Sequence, residues 1–184
     1  MDKKNIYIRP VKGSDAQALA DIYAPYVKET AISFDYEVPA KRDFKKHIDE
    51  ILKSHPFLVA EIEGEIVGYA YGGAFRARKA YSCSAETTVY IKKDKRRMGI
   101  GKKLYEALEE KLKEQGILNL YACVAYSQMD TPYLTKDSLW FHRRMGYAEA
   151  GRFHKCGYKF EQWFDIIWME KIVAAHLTGE TLRF

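Results

Sequence analysis

Apolar residues recur along the chain with two different periods. Leu19, Ile22, Tyr23, Tyr26 and Val27 fall at i, i+3, i+4, i+7 and i+8, one face of a helix. Ser14 and Gln17 precede them at capping-box spacing, so the helix is expected to start there. Phe44, Ile48, Ile51 and Leu52 mark a second helix between Pro39 and Pro56. A third opens at Gly99 and ends near Gln115-Gly116. Ile100, Leu104, Leu108 and Leu112 face inward, and Glu109 and Lys113 make an i,i+4 pair on the wet side. A short fourth helix is expected over Asp137 to Met145, stopping at Gly146.

Strand patterns fill the intervals. Ile6 to Arg9 stops at Pro10. Phe57 to Ile62 is a continuous apolar run, Glu63-Gly64 turns, and Glu65 to Tyr71 returns as a hairpin arm that Gly72-Gly73 is expected to break. Ala85 to Ile91 alternates, with Thr87, Val89 and Ile91 on one face and Glu86, Thr88 and Tyr90 on the other. Ile117 to Ala125 is another strand. Tyr147 to His154 and Lys159 to Met169 close the series, joined by a turn at Cys156-Gly157. The order β-α-α-β-β-β-α-β-α-β-β predicts one mixed α/β domain over residues 1–173, with a weakly patterned tail at 174–184. The loop from Thr30 to Val38 holds Phe34 and Tyr36, which either line a pocket or cap the core.

Composition narrows the class. A chain of 184 residues fits about one domain. An apolar share of 47% excludes disorder of the bulk. No apolar run approaches ~18 residues, so no bilayer span is expected. The N-terminus shows no secretory apolar segment, and a cytoplasmic location is expected. Cys83, Cys123 and Cys156 form no ligand pair and read as buried free thiols. His47, His55, His142, His154 and His176 show no ligand spacing, so no metal is expected.

Charge points to one place. The chain carries +5. Lys92, Lys93, Lys95, Arg96, Arg97, Lys102 and Lys103 face Asp94 alone, a local +6 that exceeds the whole. A strand ends here, a basic turn follows, and Gly99 and Gly101 enter a helix. Glycines let backbone N–H groups approach a ligand. The first four N–H groups of a helix lack internal partners and, with the dipole, suit a pyrophosphate. The order is not that of a P-loop. Leu104 stands where a dinucleotide fingerprint needs its third glycine. From the glycine pair alone, a plain helix start on a solvated basic loop stays open.

Arg96-Arg97-Met98-Gly99-Ile100-Gly101 resembles the Arg/Gln-x-x-Gly-x-Gly/Ala segment of the GNAT superfamily of N-acetyltransferases. The likeness covers roughly residues 6 to 172 and is strongest to the phosphinothricin N-acetyltransferase group. It is carried by Ala31-Ile32-Ser33-Phe34, Arg76-Ala77-Arg78-Lys79-Ala80-Tyr81, Ala85 to Ile91, His142-Arg143-Arg144-Met145-Gly146-Tyr147, and Gly157-Tyr158-Lys159-Phe160 leading to Trp163-Phe164-Asp165. The resemblance implies a mixed, mostly antiparallel central sheet flanked by helices. It implies acetyl-CoA as cosubstrate, with its pyrophosphate on Arg96, Arg97, Met98, Gly99, Ile100, Gly101 and Lys102. Val89, Tyr90 and Ile91 would run along the pantetheine arm, and Ser138 would lie near the coenzyme. Thr135 replaces the family Asn three residues before Ser138. A homodimer and a small amino-acid-like amine acceptor, of the phosphinothricin, methionine sulfone or methionine sulfoximine type, are also implied.

The chemistry asks for a base, because an alkyl ammonium with pKa near ~10 does not attack a thioester. Glu86 is the first candidate and matches the family's proposed base; the competing role is an ion pair with Arg76 or Arg78. His142 stands where many superfamily members place a Tyr that protonates the leaving thiolate. It either donates to sulfur, serves as the base, or packs. Phe34, Tyr36, Arg78, Tyr81 and Tyr90 are expected to build the acceptor pocket, with Arg78 holding a carboxylate. Two other classes compete: a coenzyme A sensor without catalysis, and a nucleic-acid module on Lys92, Lys93, Lys95, Arg96 and Arg97. The single basic cluster favours a small polyanion, with neither nucleic acid nor membrane as partner.

Overall fold

The computed structural model describes residues 5–178. In chain order it contains β1 Tyr7–Pro10, α1 Ala16–Glu29, α2 Lys41–Ile51, β2 Phe57–Ile62, β3 Glu65–Ala74, β4 Ser84–Ile91, α3 Ile100–Glu114, β5 Asn119–Tyr126, α4 Asp137–Arg144, β6 Ala148–Lys159 and β7 Gln162–Ile172. The strands form one sheet ordered β1-β2-β3-β4-β5-β7-β6. Among the described residues only β4 and β5 pair in parallel. This is the mixed, mostly antiparallel arrangement expected. Met1 to Lys4, and the predicted tail beyond residue 178, lie outside the described residues.

Helices cover both faces, and that explains the unbroken apolar run of β2. Leu58, Ala60 and Ile62 join the cluster built on α3, while Phe57 and Val59 join the cluster under α1 and α2. A strand with one wet face would alternate instead. Leu104, Leu108 and Leu112 of α3 are fully buried. Each contributes about 2 kcal/mol by leaving water.

Several local expectations are corrected. β3 runs on through Gly72-Gly73, where Gly72 pairs with Thr87 and Gly73 with Glu86. A Cβ on Gly72 would lie 2.8 Å from Leu112 Cδ2, so the missing side chain lets α3 press on the sheet. The turn before α1 is closed by Asp15, whose carboxylate accepts the Lys12 N–H at 2.7 Å; Gln17 bonds Asp21 instead. Leu52 is exposed at the end of α2. Glu109 pairs with Lys171 of β7 at 2.6 Å rather than with Lys113, because it faces the sheet. The final hairpin turns at Phe160-Glu161, both with positive φ, between the paired residues Lys159 and Gln162. Cys156 instead sits in a bulge of β6, between the pairs Phe153–Ile166 and Gly157–Phe164. The cysteines are free but not buried: Cys83 is half-buried, Cys123 and Cys156 exposed.

The parallel seam positions the site. β4 and β5 pair over only three residues each, Ser84–Glu86 with Asn119–Tyr121. Beyond Glu86 the two strands part. At the apex Thr87 Oγ1 donates to the Tyr121 carbonyl at 3.1 Å.

Candidate active site

The parted strands enclose a cleft of about 180 Å³. β4 lines it with Glu86, Thr88, Val89 and Tyr90, β5 with Cys123 and Ala125, α4 with Ser138 and His142, and the α1–α2 loop with Ile32. Strand alternation brings Glu86, Thr88 and Tyr90 to this face, as their spacing predicts.

Glu86 is half-buried at the apex. It has no hydrogen-bond or ion-pair partner among the described residues. Burial pushes its carboxyl above the ordinary carboxylate value, and the positive charge of Arg76 opposes the shift. The expected alternative, a direct ion pair with Arg76 or Arg78, is not formed. Tyr90 packs edge-on against Tyr23 and Tyr26, and burial holds its phenol well above the usual range.

His142 is 4% exposed and both ring nitrogens are engaged. Nδ1 lies 2.8 Å from the Ser138 carbonyl, which can only accept, so Nδ1 carries the hydrogen. Nε2 then accepts from the Tyr105 hydroxyl at 2.9 Å. Burial pushes the imidazole down to about 4, against the raising effect of the Ser138 bond, so the ring is neutral at pH 7. Tyr105, fully buried on α3, also lies 3.3 Å from Thr87 Oγ1 and lines the cleft. Sequence reasoning missed it. The signal was its place one residue after Leu104 and three before Leu108, within the buried stripe of α3.

Cys123 lines the cleft and is exposed at its mouth, with its thiol partly desolvated. Its thiol is pushed up to about 11, mainly by this desolvation and further by the Glu86 charge.

The basic turn sits where β4 ends. Arg97 and Gly99 have φ of 63° and 82°. Among the described residues no atom comes within 4 Å of where a Cβ on Gly99 would lie, so its glycine serves the backbone conformation. Gly101 serves packing: a Cβ there would lie 3.1 Å from Phe141 Cε2 of α4. Ile100 is buried in the core and offers its backbone only. The first bond closing α3 is Lys103 N–H to the Gly99 carbonyl, which leaves the N–H groups before it for a ligand. Most of the local positive charge is already paired. Lys92 meets Glu65, Lys93 meets Glu29, Lys95 meets Asp94, Arg97 meets Asp137 and Lys102 meets Glu106. Among the described residues, Arg96 and Lys103 are left without a carboxylate. Arg96 lies over the Tyr26 ring, 5.1 Å from its centroid, and Tyr26 in turn bonds the Ile91 carbonyl. Met98 is exposed beside the turn.

The expected acceptor residues do not all gather here. Tyr90 lines the cleft, but Phe34, Tyr36, Arg78 and Tyr81 do not. Phe34 packs against Phe164. Tyr36 is exposed and bonds the Tyr158 carbonyl. Arg78 is exposed at the head of a 3-10 turn at Lys79–Tyr81, and Tyr81 packs edge-on against Phe75. Arg76 rather than Arg78 lies in the field of Glu86, held over the Phe75 and Trp168 rings.

A helix N-terminus suited to phosphate, at the end of the strand that carries an unpaired carboxyl into the cleft, is an arrangement that a group-transfer enzyme with a phosphate-bearing donor can use. A model of the acetyltransferase (GNAT) domain matches residues 8–168, and the chain belongs to that family. It is an acetyl-CoA-dependent N-acetyltransferase. The phosphinothricin N-acetyltransferase of Streptomyces viridochromogenes is 30% identical over 166 residues, 90% of this chain and 86% of that protein. An L-methionine sulfoximine/L-methionine sulfone acetyltransferase of Pseudomonas aeruginosa is 31% identical over 119 residues, 64% of this chain and 65% of that protein. The structure of a GNAT superfamily phosphinothricin acetyltransferase from Sinorhizobium meliloti, in complex with acetyl-CoA, superposes with a TM-score of 0.83 at 24% identity. That superposition covers 95% of this chain and 94% of the other. Among the described residues no helix is long and apolar enough to cross a membrane, and no group of metal-ligating side chains is found.

Proposed function

We propose that the chain moves the acetyl group of acetyl-CoA directly to the primary amine of a small amino-acid-like acceptor, in a ternary complex. The observation that carries this is Glu86: an unpaired carboxyl at the apex of the cleft, shifted up by burial toward the range of a working base. The relatives' names support an acceptor that is an amino acid analogue.

Acetyl-CoA supplies an activated thioester carbonyl and a thiolate leaving group. The residues present fit its pyrophosphate: the open N–H groups of α3, with Arg96 and Lys103 beside them. Ser138 and the Val89–Ile91 edge of β4 border the path from this turn to the apex. Glu86 attracts the acceptor ammonium and takes its proton. Arg76 suits the acceptor carboxylate, in the role first expected of Arg78. His142 orders α4: its neutral ring has no hydrogen on Nε2 to give, since that atom accepts from Tyr105. The pairing of the other cations weighs against a nucleic-acid face, and Glu86 weighs against a sensor without chemistry.

A cytoplasmic homodimer completes the proposal. Phe153, Tyr158 and Trp163 are exposed on the β6–β7 hairpin, and a second copy would cover them. Light scattering after gel filtration checks this; a monomer at micromolar concentration rules it out.

The deciding assay is acceptor-dependent release of coenzyme A thiol with phosphinothricin, methionine sulfone and methionine sulfoximine. Release with at least one is expected. No release with any of them, or with any other primary amine, overturns the proposal.

A further inference from the structure

The α1–α2 loop forms one wall of the cleft. Ile32 lines it, and Ser33 and Asp35 both bond the hydroxyl of Tyr23, which packs on Tyr90. Three consecutive residues of β6 grip this loop. Gly157 lies against Phe34, whose ring would collide with any Cβ there. Tyr158 offers its carbonyl to the Tyr36 hydroxyl. Lys159, 3% exposed, donates from Nζ to the carbonyls of Val27 at 2.7 Å, Thr30 at 3.0 Å and Ser33 at 2.7 Å.

Three donors meet three acceptors, so the ammonium has no hydrogen left for a ligand. Val27 and Thr30 stand at the C-terminal end of α1, where carbonyls lack helical partners and the dipole is negative. Burial lowers the ammonium pKa, and Asp35 opposes that. No carboxylate lies within ion-pair distance of it among the described residues. Helices commonly close with a glycine and no buried charge. A buried cation held by dipoles alone is a costly way to end one. What it adds is reach: Nζ joins the helix end to Ser33, inside the loop.

We infer that Gly157, Tyr158 and Lys159 form a template that fixes the acceptor-side loop. Lys159 is the positioning residue that sets acceptor affinity without touching the acceptor. The inference rests on the proposal that the Glu86 end of the cleft takes the amine.

Lys159→Met keeps the chain length and removes all three donors. Acceptor KM is expected to rise roughly tenfold, with acetyl-CoA KM and kcat changed by less than about twofold. Amide exchange over residues 31–36 should quicken. Lys159→Arg should recover part of the acceptor KM. Tyr36→Phe, which cuts only an exposed tie, should raise acceptor KM about twofold to threefold. An unchanged acceptor KM in folded Lys159→Met, or an equal rise in both KM values, overturns the inference. If Lys159→Met does not fold, Tyr36→Phe decides by the same comparison. Failure of the parent to acetylate any amine would count against the acyl-acceptor proposal alone. Exchange over residues 31–36 then judges the template by itself, and unaltered exchange in the folded variant overturns it.

Discussion

Thr87 Oγ1 donates to the carbonyl of Tyr121 at the point where β4 and β5 stop pairing. The same oxygen lies within reach of the Tyr105 and Tyr147 hydroxyls. One side chain thus ties both half-sheets at the apex of the cleft, in contact with α3. Thr87→Val keeps the shape and takes from the buried Tyr121 carbonyl the hydrogen that Thr87 donates. The expected loss is about 1–3 kcal/mol. For a domain of this size each kcal/mol lowers Tm by about 2–4 °C. Calorimetry checks the shift, and acetyl-CoA KM should rise with it.

Glu86 links rate and stability through one proton. Its folded pKa lies above the ordinary 4.5, so the fold favours the protonated form. Stability from that preference is present below pH 4.5 and is lost as pH rises through the raised value. Glu86→Gln mimics the protonated form. It should therefore unfold at higher urea than the parent at pH 7.5, with the difference vanishing near pH 4. Its kcat should fall about a hundredfold or more, and the acid limb of the parent pH–rate profile should disappear.

His142 shows the opposite sign. Its folded pKa is about 4 against an ordinary 6.5. The neutral ring stabilises the fold fully above pH 6.5, and that stability is lost as pH falls toward 4. The loss is on the order of 3 kcal/mol. Nitrogen NMR should find the hydrogen on Nδ1 and no titration of this ring between pH 5.5 and 8. A midpoint above pH 6 would contradict the neutral assignment.

Among the cations near α3, pairing predicts which ones matter for the coenzyme. Arg96→Ala and Lys103→Ala should each raise acetyl-CoA KM roughly tenfold, as loss of a charge-assisted bond to phosphate does. Lys93→Ala, whose partner is Glu29, should change it less than about twofold. Steady-state kinetics at low and high salt separates the two groups.

The sequence shows faces better than partners. The α3 stripe and the two faces of β4 were legible because helix and strand periods reveal which side is apolar. The anion turn was legible because its parts are contiguous. Gly72 misled, since a glycine inside a strand resembles a break until Leu112 is seen above it. Lys159 was invisible as a clamp because it bonds Val27, 132 residues away. The charge on Lys93 looked free because its carboxylate, Glu29, is 64 residues upstream. Arg78 and Arg76 could not be ranked, because two arginines two residues apart look alike until the Phe75 and Trp168 rings are seen to hold Arg76.

The thiol of Cys123 has a kinetic consequence. A thiolate in that wall would compete with the amine for the acetyl group, by exchanging one thioester for another. With the thiol raised to about 11, fewer than about one molecule in a thousand carries the thiolate at pH 7.5. The partial burial that raises the carboxyl of Glu86 also raises the Cys123 thiol, and so keeps a rival nucleophile protonated where the amine is to react.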